Sequence, residues 1–326
     1  MLILLEKRCE IKINHFMKIR IGTRGSKLAL WQAYHVEEKL KVAGFETEII
    51  TIETKGDKIL DVSIAKIGSK GVFTEEIEDQ LAAGQIDIAV HSAKDMQSVL
   101  PKGFNLIAFM EREKANDVII SKKVGLVINT DASFVLGTSS TRRVATLKRY
   151  YPNIKTIAVR GNLQTRIRKM EEGACDALLL AYAGVYRMGY EDMICKELSL
   201  DEFIPAVGQG SVAIEVHANL DIDKSAAIRE TLNHTDTETC LLAERAFLKA
   251  VDGGCSTPVF AMAKLQGTEL EIEGGIISLD GEERICHKVI GHSNEAFNLG
   301  EKLAREVLSS GGERILKDIK NQINEE

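Results

Sequence analysis

The chain has 326 residues, of which 44% are hydrophobic and 28% charged, and its formal net charge is −6. These are the proportions of a soluble globular protein large enough for two or three domains. The acidic balance gives no global reason to expect nucleic acid as a partner, and no apolar run approaches the length that spans a bilayer.

Residues 1–17 read as an N-terminal extension. Met1-Leu2-Ile3-Leu4-Leu5 meets Glu6-Lys7-Arg8 too early for a secretory core, so no secretory leader is expected. Met17 to Gly22 reads as the start of a domain, with a strand immediately after. Ser26 can cap a helix that carries Ala29, Ala33, Val36 and Leu40 at helical spacing and ends at Gly44. Phe45 to Ile52 reads as a strand, Thr74 to Ala83 as a helix, and Ile86 to Val90 as a short apolar strand. This alternation predicts a largely parallel sheet covered by helices. The pattern restarts near Asp117, with strands at Val118–Ile120, Val135–Leu136, Thr156–Val159 and Ala177–Leu180. Ser211 to Val216 reads as a strand that returns to the first domain.

From about 233 the texture changes. A helix precedes Gly253-Gly254-Cys255. Strands are expected at Glu269–Glu273, Gly275–Leu279 and Arg284–Ile290, with a hairpin turn at Asp280-Gly281 and a closing helix over 294–309. The expected domains are therefore 18–112 with 211–230, then 116–205, both α/β, and 233–326, a small α+β domain with an antiparallel sheet.

The six cysteines, at 9, 175, 195, 240, 255 and 286, form no CxxC pair, and no His stands at zinc-ligand spacing from another. Reduced thiols in a cytoplasm are expected, with no metal site. Cys255 is set apart by its turn: two glycines before it and Pro258 after it can hold the sulfur out toward a cleft.

Polar clusters follow several apolar strands, at the edge where open α/β sheets bind ligands. Arg24 and Ser26 form a cation–hydroxyl pair. Ser92, Lys94 and Asp95 follow a strand, and Asp95 is the group with acid–base capability. Gly137-Thr138-Ser139-Ser140 leads into a helix, an anion cradle of backbone N–H groups and hydroxyls. Arg142 and Arg143 follow in its first turn, where the helix dipole disfavours cations unless an anion is present. Arg160, Gly161, Asn162 and Arg166 repeat the arrangement. Lys70 lies in a glycine-flanked loop that could cover the cleft. Many cations around one aspartate suit a ligand bearing several carboxylates.

In their joint order these stretches resemble the porphobilinogen deaminase family, also called hydroxymethylbilane synthases, from about Lys18 onward. The matched stretches are Ile21 to Ala33, His91 to Asp95, Gly137 to Arg143, Arg160-Gly161-Asn162 with Thr165-Arg166, Pro205 to Gly210, and Gly253-Gly254-Cys255. The resemblance implies two periplasmic-binding-protein-like α/β domains with the active cleft between them, and a third, C-terminal domain carrying the cysteine. It implies a dipyrromethane cofactor bound to Cys255 through a thioether. On that primer four porphobilinogens lose ammonia and add head to tail, and water releases hydroxymethylbilane. By the same resemblance Asp95 is catalytic, while Arg24, Lys94, Arg142, Arg143, Arg160, Arg166 and Arg187 face acetate and propionate groups. Ser26, Ser92, Thr138, Ser140 and Gln209 add hydrogen bonds, and Lys70 belongs to a mobile loop. A monomer with neither nucleic-acid nor membrane partner is expected.

The chain departs from the family pattern in places. Met96-Gln97 stands where Val-Pro often follows the aspartate, so a looser loop is expected there. Thr141 stands where Leu is usual, and Ser256-Thr257 where Gln-Val is common. The residues alone leave two other classes open: a two-lobed module that binds an anion without chemistry, and an acyl or phosphoryl transferase with a cysteine nucleophile.

Overall fold

The computed structural model describes residues 18–58, 74–123, 125–253 and 257–325. The first sheet holds β1 (Lys18–Arg24), β2 (Glu46–Ile52), β3 (Ile88–Ser92), β4 (Phe104–Phe109) and β10 (Val212–His217), in the order β2-β1-β3-β10-β4. Helix α1 (Lys27–Val42) starts where the sequence places it: the Ser26 hydroxyl accepts from the Ala29 N–H at 3.3 Å. Its Ala33, Val36 and Leu40 are fully buried against Ile19, Ile21, Ile88 and Ile214. The larger of these side chains each contribute about 1.5–3 kcal/mol by leaving water. Helix α2 (Lys55–Lys58) is one turn, and α3 (Glu75–Ala82) buries Ile77 and Leu81.

The second sheet holds β5 (Asp117–Ile120), β6 (Val135–Gly137), β7 (Lys155–Ile157), β8 (Ala177–Ala181) and β9 (Ile194–Glu197), in the order β7-β6-β8-β5-β9. Helices α4 (Thr141–Tyr150), α5 (Leu163–Glu171) and α6 (Tyr182–Arg187) pack around it. Successive residues of β5 and β8 enter opposite cores. Val118, Ile120, Leu178 and Leu180 pack on one side, and Ile119 and Leu179 on the other. A strand apolar on both faces is what a sheet covered on both sides requires.

Both sheets are mixed, where the alternation of strands and helices predicts largely parallel ones. β1 pairs in parallel with β2 and β3, but β10 runs antiparallel to β3 and β4. In the second sheet β6 is parallel to β7 and β8, while β5 is antiparallel to β8 and β9. The cause is the route of the chain. It leaves the first unit after β4 and re-enters it as β10, which lies between β3 and β4. The two crossing segments touch: Glu113 N–H donates to the Gly210 carbonyl at 3.1 Å, and the Ser211 hydroxyl to the Met110 carbonyl at 2.9 Å.

After β10 come α7 (Ile222–Leu232) and α8 (Thr235–Ala250), then a meander of β11 (Val259–Gln266), β12 (Glu269–Ile277) and β13 (Arg284–His292). The expected strands at Glu269–Glu273 and Gly275–Leu279 are one strand, β12, and β11 is an addition to the sequence reading. Gly275 does not break the strand; it permits it, because a Cβ there would lie 1.9 Å from the Ile285 carbonyl oxygen. Helix α9 (Ala296–Val307) continues past a kink at Gly311 into α10 (Glu313–Glu325). Phe247 of α8 and Leu303 of α9 close this core over Ile272 and Ile276. Among the described residues no helix is long and apolar enough to cross a membrane.

Candidate active site

β3 ends in Ser92 and passes into a single 3-10 turn, Ala93–Asp95. Ala93 and Met96 are buried and anchor the turn. Gly208 of the second crossing segment presses on it from behind. Its φ is +74°, and a Cβ there would lie 2.9 Å from the Ala93 carbonyl carbon. Asp95 is exposed. Ser92 is held by Gln32 of α1, whose side-chain amide donates to the Ser92 hydroxyl at 2.9 Å.

On the facing lobe, where the sequence reading expects an anion cradle, a side chain caps the helix. The Ser140 hydroxyl accepts from the Arg143 N–H at the start of α4. The anion that explains two arginines there is Asp117, a fully buried residue at the head of β5 that the sequence reading passed over. Arg142 Nη2 donates to Asp117 Oδ2 at 2.8 Å, and Arg143 Nη2 to Asp117 Oδ1 at 2.6 Å. Their remaining N–H groups serve the chain as well: Arg142 Nη1 meets the Ile204 carbonyl and Arg143 Nη1 the Leu179 carbonyl, both at 3.0 Å. Gln209 completes the shell, its amide donating to Asp117 Oδ1 at 2.9 Å and to the Ala115 carbonyl at 2.6 Å. Burial alone would raise the Asp117 carboxyl. The two guanidiniums, with hydrogen bonds from Arg143 and Gln209, hold it far below the usual carboxylate range. The available signal was a lone acid opening a Val-Ile-Ile strand, where a buried charge demands a partner.

Other expected residues are placed as follows. Thr138 is buried and its hydroxyl accepts from the Ser140 N–H at 3.4 Å. The Ser139 hydroxyl donates to the Val159 carbonyl at 3.0 Å. Asn162 caps α5 by accepting from the Thr165 N–H at 2.9 Å. Arg166 Nε donates to the Gly161 carbonyl at 2.7 Å. Arg187 stands at the junction of the lobes, donating to the Gly210 carbonyl at 2.7 Å with its guanidinium 5.3 Å from the Trp31 ring centre. Arg24 and Arg160 are half-buried. Lys70, Cys255 and the extension 1–17 lie outside the described residues.

The charges of the two lobes feel one another across the cleft. Burial, reinforced by Arg143, lowers the Lys94 ammonium to about 8, against the opposing pull of Asp95 and Asp117. Burial and Arg143 likewise lower Arg166 to about 10, while Asp95 raises it. The cluster defined by these couplings holds four cations, Lys94, Arg142, Arg143 and Arg166, against two carboxylates, Asp95 and Asp117. Two buried polar atoms at its heart have no partner, Arg142 Nε and Gln209 Oε1. An uncompensated cationic cluster with unused donors and acceptors fits an anionic ligand rich in hydrogen-bonding groups.

Fold and cluster together define an α/β protein of two lobes that carries a buried cationic cluster, with a third domain attached. The family model described as "Porphobilinogen deaminase, dipyromethane cofactor binding domain" matches residues 19–224, and "Porphobilinogen deaminase, C-terminal domain" matches 238–309. The chain is 54% identical to the porphobilinogen deaminase of Desulfosudis oleivorans over 307 residues, covering 94% of this chain and 99% of that protein. It is also 54% identical to that of Cytophaga hutchinsonii over 306 residues, covering 94% and 98%. The chain belongs to the porphobilinogen deaminase family. Similar solved structures include the VFT2 domain of Bordetella pertussis BvgS, with TM-score 0.40 and 14% identity over 68% of this chain and 86% of that one. Another is a TRAP periplasmic solute-binding protein from Desulfovibrio salexigens, with TM-score 0.39 and 12% identity over 66% and 73%.

Proposed function

We propose that this cleft joins four porphobilinogen molecules head to tail on a dipyrromethane primer, with Asp95 as the acid–base group and Cys255 as the attachment point, and then releases hydroxymethylbilane by hydrolysis. The observation that carries the reading is the excess of cations around one exposed carboxylate. Each porphobilinogen brings an acetate and a propionate, and in this reading Lys94, Arg143 and Arg166 receive them, with Arg24 and Arg160 as further cations. Asp117 holds Arg142 and Arg143 in position, so their charge is preorganised rather than gathered by the ligand. When bound, the dipyrromethane supplies the first acceptor pyrrole.

The reaction breaks the substrate's aminomethyl C–N bond and forms a C–C bond to a neighbouring ring, which gives up its α proton. The nitrogen leaves as ammonia only after taking a proton, and the ring carries positive charge while the bond forms. One carboxyl group at Asp95 serves both needs: it donates the proton, and as carboxylate it stabilises the cation. Its exposure lets it exchange protons with water between additions. Ser92, held by Gln32, and the backbone at Gly161 and Asn162 orient the carboxylates of the ligand.

The protein acts as a monomer in the cytoplasm in this reading, with neither nucleic acid nor membrane as a partner. The free thiols of Cys175, Cys195, Cys240 and Cys286 support a reducing compartment. The test is incubation with porphobilinogen, detection of linear bilane, and the intact mass of the protein. The expected result is bilane formation by a protein heavier than its polypeptide by two deaminated porphobilinogens. Cys255→Ser is expected to fold but to lack that added mass, since a hydroxyl is a far poorer nucleophile than a thiol near neutral pH. A serine variant that retains the mass and turns over normally would sink the attachment.

A further inference from the structure

Behind the Asp95 turn lies a second cluster of titratable groups that the reaction itself does not use. Glu215 of β10 is fully buried; its Oε2 meets His91 Nε2 at 3.1 Å, and its Oε1 has no partner. Glu78 of α3 is buried beside them, and burial pushes its carboxyl up, opposed by its hydrogen bond with Thr74. Arg245 of α8 sends its charge toward Glu215. The first unit supplies β3, β10 and α3, while α8 belongs to the domain that carries Cys255.

One residue ties these elements to the catalytic turn. Gln97 stands two positions after Asp95, and both its ends are engaged. Its carbonyl accepts from Arg245 Nη2 at 2.8 Å. Its side-chain amide donates to Thr74 Oγ1 at 3.4 Å and to Glu78 Oε1 at 3.5 Å. Met96 between them is buried, so the segment from Ala93 to Gln97 is fixed at its base by packing and at its end by three hydrogen bonds. The looser loop expected from Met96-Gln97 is thus offset by these contacts, two of which need a side-chain donor. Proline, with no side-chain donor, could not supply those two. The neutrality of the amide also matters. It gives an N–H to Glu78 without adding a charge to a site that already buries two carboxyl groups.

We infer that Gln97 is a positioning residue for the reaction: it sets the Asp95 turn between helix α3 and the helix α8 of the cysteine-bearing domain. The inference rests on the reading of Asp95 as the acid–base group. Gln97→Met keeps the length and removes the amide, while the carbonyl bond to Arg245 survives. In the cofactor-loaded protein its kcat is expected to fall about tenfold, the scale of a displacement under ~1 Å at a catalytic group, with KM within about a factor of two. The intact mass should still show the cofactor.

Gln97→Glu supplies a readout that simple loosening does not give. A carboxylate there stands against Glu78, whose own neighbours include Glu215, His91 and Asp79, with Arg245 bound to the carbonyl of residue 97. Ionised, it cannot donate to Glu78; protonated, it can. The deficit of Gln97→Glu relative to wild type should therefore shrink as pH falls, while that of Gln97→Met stays constant. Wild-type kcat in Gln97→Met, a loss that falls on KM alone, or a Gln97→Glu deficit independent of pH would each overturn the inference. Asp95→Asn separates the two layers. If it turns over normally, the reading of Asp95 fails and the inference with it; if it is inactive while Gln97→Met is normal, only the role of Gln97 fails.

Discussion

Asp95 and Asp117 are drawn from the two lobes and have opposite surroundings. Asp95 is exposed at the end of a turn, and Asp117 is buried under two guanidiniums and an amide. In the proposed reaction the first exchanges a proton during each addition; the second is a buried counter-ion to two arginines. Asp95→Asn keeps the shape and is expected to retain the cofactor while turnover falls by at least about a hundredfold, the usual scale for a positioned acid–base group. Turnover within a factor of about three of wild type is too small a loss for that role. Lys94 gives a pH dependence whose sign is fixed by its surroundings. Burial lowers its ammonium to about 8, so the charge that can pair with a substrate carboxylate is complete below that pH and is lost as pH rises through it. KM for porphobilinogen should climb above that point. Lys94→Gln should show a higher KM throughout and no alkaline rise; the same rise in both proteins would remove Lys94 from the binding site. The motif around Asp95 was legible because it follows an apolar strand directly. Asp117 was not, because its partners stand 25 and 26 positions further on.

The elements that hold the site were largely legible one by one. Ser26 caps helix α1 with its own side chain, as a hydroxyl before an apolar-periodic run leads one to expect, and Ser140 and Asn162, read from the sequence as ligand-binding residues, cap α4 and α5. Strand direction was not legible, because the same alternation of apolar runs fits a parallel or a mixed sheet. The crossing segments that decide it also brace the site. Gly208 combines a positive φ with close approach to the Ala93 carbonyl carbon, so a methyl group there must push the Asp95 turn outward or strain the crossing. Gly208→Ala is expected to lower both the melting temperature, by a few degrees, and turnover. A folded variant with unchanged activity and melting temperature would show that the turn is not braced from this side.

In the whole molecule, one carboxylate of the third domain meets both crossing segments. Glu244 of α8 is fully buried and receives Arg112 Nη1 at 2.7 Å and Nη2 at 2.8 Å, one crossing segment, and the Gly208 N–H at 2.9 Å, the other. It also accepts from the Ala263 N–H of β11 at 2.8 Å. The neighbouring Arg245 reaches the Asp95 turn through Gln97. Helix α8 thus ties the third domain to both crossings and to the segment that follows the Asp95 turn. Removing one partner of such a buried pair leaves the other charge uncompensated, at a cost of about 3–5 kcal/mol. Glu244→Ala should therefore lower thermal stability sharply, and Arg112→Ala should follow it. Differential scanning calorimetry of the two variants checks this; a melting temperature equal to wild type in Glu244→Ala would show that the domain is held by other contacts.

By itself the sequence carried the resemblance to the family, in the order of its motifs, together with the cap and the apolar face of α1. The cap and the face rest on spacings of a few residues, which the geometry of a helical turn converts directly into position. Tertiary structure alone decided that Arg142 and Arg143 close on Asp117, that Gln97 meets Arg245 across 148 positions, and that Arg112 meets Glu244 across 132. A charge buried in a cleft must find its partner in space, and no rule of local spacing says from which distant segment that partner will come.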